Sequence, residues 1–127
     1  DNNINDRILL YSHQEHSKIP LFLKAADVLV LPNSNKNEFS RTLTSPIKLF
    51  EYMASRRPII ASKIPSICNV IDENIAFFVD PDSPISLANK IKYVVLNKEK
   101  ADKLSNNAFT KVKSLSCFSD IQIISPF

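Results

Sequence analysis

Short apolar runs alternate with longer stretches of helical spacing along this chain. Arg7-Ile8-Leu9-Leu10-Tyr11 reads as a buried strand. Residues 17–26 place apolar side chains at 19, 22, 23 and 26, the spacing of one helix face. Val28 to Leu31 is a continuous apolar run closed by Pro32, as in a strand buried on both faces. Residues 33–44 are polar and predict a long loop. A helix over 46–55 turns Ile47, Leu49, Phe50, Met53 and Ala54 to the core, and Pro58 to Ala61 is the next strand. Residues 64–72 form a connection with room for one helical turn. Ala76 to Val79 is a further strand, ended by Asp80-Pro81-Asp82. Residues 84–96 form an amphipathic helix capped by Ser83, and 99–115 a second, more polar helix.

Strands alternating with helices predict βαβ units, and hence an α/β fold with a parallel sheet and helices on both of its faces. Such sheets bind ligands beyond the carboxyl ends of their strands. The loops after Leu31 and Ala61 and the start of helix 46–55 fall on that edge.

Composition narrows the picture. With 127 residues and 44% hydrophobic content, the chain can bury one sizeable core. A net charge of +3 with scattered lysines does not make a nucleic-acid footprint, so no nucleic-acid partner is expected. Cys68 and Cys117 lie far apart without metal-ligand spacing and read as free thiols in a reducing compartment. His13 and His16 sit in a predicted loop with no third ligand, so they are expected to be solvent-exposed and no metal is expected. Arg41 and Lys48 read as solvated side chains, and Asp27 as a structural residue bracing the strand that follows it. No apolar run approaches a membrane span and no signal peptide opens the chain. The chain contains no glycine at all. Turns and helix ends that need positive φ must therefore use other residues, with Asn the best substitute.

The candidate chemistry centres on Ser45-Pro46-Ile47-Lys48-Leu49-Phe50-Glu51-Tyr52-Met53-Ala54. Ser45 is a good N-cap and Pro46 suits the first helical position, so a helix opens abruptly out of a polar loop. Its unpaired N–H groups and positive dipole end suit an anion such as a diphosphate. Glu51, about a turn and a half further on, can accept hydrogen bonds from sugar hydroxyls. Arg56-Arg57 places cations where they favour the helix C-terminus.

This segment, continued through Ser55-Arg56-Arg57-Pro58-Ile59-Ile60-Ala61-Ser62, resembles the donor-binding segment of group 1 glycosyltransferases, the retaining GT-B enzymes of family four. The resemblance extends to residues 19–32 and to Ile64-Pro65-Ser66-Ile67. It continues through Phe78-Val79-Asp80-Pro81-Asp82, Leu87-Ala88-Asn89-Lys90-Ile91 and Asn107-Ala108, and so covers roughly 7 to 115. It implies a partial Rossmann-like parallel sheet flanked by helices, the C-terminal half of a GT-B donor domain, over 1–115, with 116–127 a divergent tail.

The resemblance also implies roles. Glu51 would hold the ribose hydroxyls of a nucleoside-diphosphate sugar, and the backbone of Thr44 and Ser45, with Pro46, would face the diphosphate. The family's other acid, eight positions before Glu51, is replaced by Leu43. Family glycine positions hold Ser12, Arg56 and Ala76, and Ser12 would lie beside the donor. No catalytic side chain and no cofactor is implied beyond the donor substrate itself. The acceptor domain and the basic phosphate ligands have no counterpart in these residues, so the isolated chain is expected to be inactive. Nucleotide base, sugar and acceptor are not specified. Location would be cytoplasmic, with peripheral membrane contact through a full-length protein. Two alternatives stay open, a non-catalytic binding or regulatory module and a decayed gene fragment.

Overall fold

A computed structural model of the chain describes residues 4–36, 38 and 46–115. Three parallel strands form the sheet in the order β1-β2-β3. They are β1 (Leu29–Leu31), β2 (Ile59–Ser62) and β3 (Phe77–Val79). Leu29 pairs with Ile59, and Ile60 with Phe77. The α-helices that accompany them are α1 (Ile19–Ala25), α2 (Pro46–Ala54), α3 (Pro65–Cys68), α4 (Pro84–Leu96) and α5 (Lys98–Ser114). Proline stands in the first two positions of α1, α3 and α4, and α2 begins at Pro46. At these positions the ring presets φ and the missing N–H has no intrahelical partner to lose.

Side chains alternate across the sheet and build two cores. On one face Leu31, Ile59 and Ala61 pack with Leu49, Phe50, Met53 and Ala54 of α2, with Ile64, Ile67 and Ile71, and with Ala108 and Val112 of α5. On the other face Ile60, Phe77 and Val79 pack with Val94 of α4 and with Ala101 and Leu104 of α5, flanked by Leu87 and Ile91. The polar helix expected over 99–115 thus joins both cores, because its few apolar residues share one stripe. Lys111 Nζ donates to the Val70 carbonyl at 2.7 Å and Asn107 Nδ2 to the Asn74 carbonyl at 2.9 Å, which fixes α5 across the segment between α3 and β3.

Several expectations are corrected. Residues 8–11 form no strand; Leu10 is 93% exposed and Ile8, Leu9 and Tyr11 are exposed with it. Tyr11 holds this extended run to α1 through an edge-on contact with Phe22, centroids 5.2 Å apart. An apolar run forms a strand only beside another strand, and among the described residues none lies next to it. In α1, Leu23 alone is buried, and Ile47 of α2 points to solvent. Asp27 is exposed, and the start of β1 is held by the backbone bond from Leu29 N–H to the Pro58 carbonyl at 2.9 Å.

Arg56 and Asp82 take the left-handed conformations, with φ of 58° and 59°, where asparagine was expected. Arg56 follows the C-terminus of α2, the position glycine commonly fills. Its guanidinium lies 3.9 Å from the centroid of the Phe109 ring, while Arg57 donates to the Lys24 carbonyl at the end of α1 at 2.6 Å. The two arginines therefore serve α5 and α1 rather than the last carbonyls of α2. Of the three former glycine positions only Arg56 needs the left-handed region. Ala76 is buried at the start of β3, where its methyl joins the core.

Candidate functional site

The carboxyl ends of the three strands share one edge because the strands are parallel. The loop after β1, the start of α2, and the turns after β2 and β3 meet there. Asp82 ties two of them together. Its Oδ2 accepts from the Asn35 N–H at 3.0 Å, bridging the turn after β3 to the loop after β1. A hydrogen bond with the Ser34 side chain, with the Asn35 bond second and the charge of Lys36 adding to them, holds the Asp82 carboxyl below the usual carboxylate range. Ser83 caps α4 by accepting from Ser86 N–H at 3.2 Å, and Ser86 Oγ accepts from Asp80 N–H at 3.1 Å. A cleft of about 300 Å³ opens on this edge, lined by Pro32, Lys36, Ser62, Asp80, Asp82 and Ser83 among others.

Glu51 projects from α2 with its side chain 16% exposed, and its Oε1 lies 2.9 Å from Nε2 of His16. An ionised carboxylate can only accept, so Nε2 carries the proton in this contact. His16 opens a 3₁₀ turn, His16–Lys18, that runs into α1. Its side chain is 70% exposed, as the sequence reading has it, but it is engaged with Glu51 rather than freely solvated. Burial first, and the Glu51 charge second, raise the neighbouring Tyr52 hydroxyl above its ordinary range. A shielded acid under an exposed, displaceable partner can accept hydroxyl donors from a ligand that moves the imidazole aside.

Of the residues singled out from sequence, Glu51 is placed at this pair and Pro46 at the first residue of α2. Leu43, Thr44, Ser45 and Arg41 lie outside the described residues, as do Cys117 and the 116–127 tail. Ser12 is exposed four residues before His16, its carbonyl accepting from Gln14 Nε2 at 3.1 Å. Lys48 and His13 are exposed, and Cys68 is a free, exposed thiol. Among the described residues no three His, Cys, Asp or Glu side chains gather as metal ligands would. The sequence reading gave His16 no role toward Glu51. The two residues stand 35 positions apart, and no local pattern links them.

Comparison with known proteins agrees with the sequence resemblance. The family described as glycosyl transferases group 1 matches residues 1–111. Sucrose-phosphate synthase from Thermosynechococcus elongatus superposes with a TM-score of 0.74 at 27% identity, over 89% of this chain and 27% of that one. The C-terminal domain of a group 1 glycosyl transferase family protein from Francisella tularensis gives 0.66 at 22% identity, over 84% of this chain and 52% of that one. Anabaena HepE, in a complex with UDP, gives 0.66 at 20% identity, over 87% of this chain and 29% of its own. The chain thus spans at most about half the length of these solved structures. No curated protein matches it. The family match over most of the chain, with the parallel sheet and α2 in the expected order, makes this chain a member of the group 1 glycosyltransferase family.

Proposed function

We propose that this chain is part of the donor-binding domain of a retaining glycosyltransferase and holds a nucleoside-diphosphate sugar at the start of α2. The observation that carries the reading is Glu51, a shielded carboxylate whose partner His16 is solvent-exposed. The N-terminal end of α2 would offer a positive dipole and its first-turn N–H groups to the diphosphate. Thr44, Ser45 and Pro46 would line that end, Glu51 would accept from the ribose hydroxyls, and Ser12 would lie alongside. Complexes of Anabaena HepE with UDP and with UDP-glucose lend the donor class support.

The reaction would move a hexose from the diphosphate to an acceptor hydroxyl in glycan, polysaccharide or glycolipid synthesis, on the cytoplasmic side of a membrane. These residues would contribute by stabilising the departing diphosphate and orienting the donor. Because the chain spans 27% to 52% of the structures it resembles, we propose that the 127 residues alone bind the donor without transferring it. Turnover of a nucleotide-sugar by the purified chain would overturn that part. A binding or regulatory module is the second reading, favoured by Leu43 in place of the family acid. Only transfer assayed in a two-domain protein separates the two.

Calorimetric titration of the chain with UDP and with GDP tests donor binding. One of them is expected to bind, and Glu51→Ala to weaken it by roughly tenfold to a hundredfold, the worth of hydrogen bonds to a charged acceptor. Absence of binding by both nucleotides, or unchanged affinity in the variant, would sink the assignment.

A further inference from the structure

The segment from His16 to Ala25 is lightly anchored. Its 3₁₀ turn, His16–Lys18, buries no residue, and α1 buries Leu23 alone. Leu21 is 71% exposed, and Phe22 is exposed with it. A side-chain contact ties down each end. At the first residue, Nε2 of His16 donates to Oε1 of Glu51 at 2.9 Å. In the last turn of α1, the Lys24 carbonyl accepts from Arg57 at 2.6 Å. Glu51 belongs to α2, and Arg57 follows its end. α2 itself is fixed by Leu49, Phe50 and Met53 in the core. A segment with so little buried apolar surface opens at lower free energy than the core beneath it. The His16–Glu51 contact therefore joins a movable imidazole to an acid held in place.

The chemistry of that contact is competitive. The Glu51 side chain is 16% exposed, and the exposed imidazole reaches it from the solvent side. An ionised carboxylate only accepts hydrogen bonds. The Nε2–H of His16 and a ligand hydroxyl are thus rival donors for one oxygen, approached from one side.

Building on the donor role given to Glu51 above, we propose that His16–Ala25 is a strap that closes the Glu51 site in the empty chain. The imidazole stands where a ligand hydroxyl would bind, and His16 sets how readily the site accepts its nucleotide. A nucleotide binds the fraction of molecules in which the contact is broken, so its apparent affinity is reduced by that fraction. An exposed pair of this kind is weak, which makes the reduction about two- to fivefold.

The test repeats the UDP and GDP titrations on His16→Ala and His16→Gln. The alanine variant is expected to bind the nucleotide about two- to fivefold more tightly than the unaltered chain. The glutamine variant keeps an Nε2–H donor and should bind more weakly than the alanine variant. Hydrogen exchange of the nucleotide-free chain reads the strap without any ligand. The amides of residues 23–26 should exchange faster by a similar factor in His16→Ala and in Glu51→Ala, while those of β2 keep their protection. Unchanged exchange at residues 23–26 in both variants would overturn the strap, whatever the nucleotides do. Nucleotide binding by the unaltered chain with no gain in His16→Ala would overturn the competition and leave the donor assignment standing. Weaker binding by His16→Ala would do the same, and would make His16 a contact of the nucleotide. Absence of binding by every form would instead sink the donor assignment, and the nucleotide as rival of His16 would fall with it.

Discussion

α2 and α4 are written alike, each opened by a proline and each rich in apolar residues, yet they meet different fates. α2 lies between the sheet and α5, so Leu49, Phe50, Met53 and Ala54 all disappear from solvent. α4 also packs on the sheet and on α5, with Val94, Leu87 and Ile91, but its second apolar stripe stays in the open. The difference lies in how the apolar residues are distributed around each helix rather than in propensity. A helix that buries most of its apolar residues can hold a carboxylate such as Glu51 in a fixed place. A helix with a second stripe keeps apolar surface exposed.

The comparison can be broken most forcefully at Met53, which is fully buried beneath Glu51's own helix. Met53→Ala should cost about 2–5 kcal/mol, read by urea unfolding. A loss below 1 kcal/mol would mean that α2 is not clamped as described. Arg56 offers a finer cut. Arg56→Ala removes the Phe109 contact but keeps the left-handed backbone, whereas Arg56→Gly relieves that backbone. The glycine variant should therefore be the more stable of the two by about 1 kcal/mol. Equal stabilities would show that the left-handed turn is not maintained in solution. On the other helix, Leu96→Ser should move stability by no more than about 0.5 kcal/mol, because the side chain is exposed in the folded chain.

The smallest expected effect is acidic. Asp82 has its pKa lowered by the bonds to Ser34 and Asn35, so the stability it contributes is present above the ordinary carboxylate range and is lost as pH falls through its lowered value. Asp82→Asn should flatten the acid end of a plot of melting temperature against pH. An unchanged acid limb would show that the bridge between the two turns is not formed in solution.

Much of the fold was legible along the chain. The runs at 28–31, 58–61 and 76–79 became strands within a residue or so of their expected bounds, because each is apolar, short and punctuated by proline or aspartate. Ser83 could be read as a cap because its hydroxyl acts within one turn. The run at 8–11 has the same composition but no neighbouring strand among the described residues. Local pattern fixes which residues want burial, whereas a strand needs a partner. The candidate site divides the same way. The helix start and Glu51 were readable, since capping and the family motif are local, but the pairing of Glu51 with His16 was not.

Residues a few positions apart set the alternation of strand and helix, the place where α2 begins and the identity of its acid, and the family match spread over residues 1–111 sets the membership. Which apolar faces are covered, where Arg56, Arg57 and Asp82 send their charges, and the exposed histidine beside Glu51 are outcomes of packing. Those outcomes depend on contacts between segments tens of residues apart, which packing geometry alone brings together.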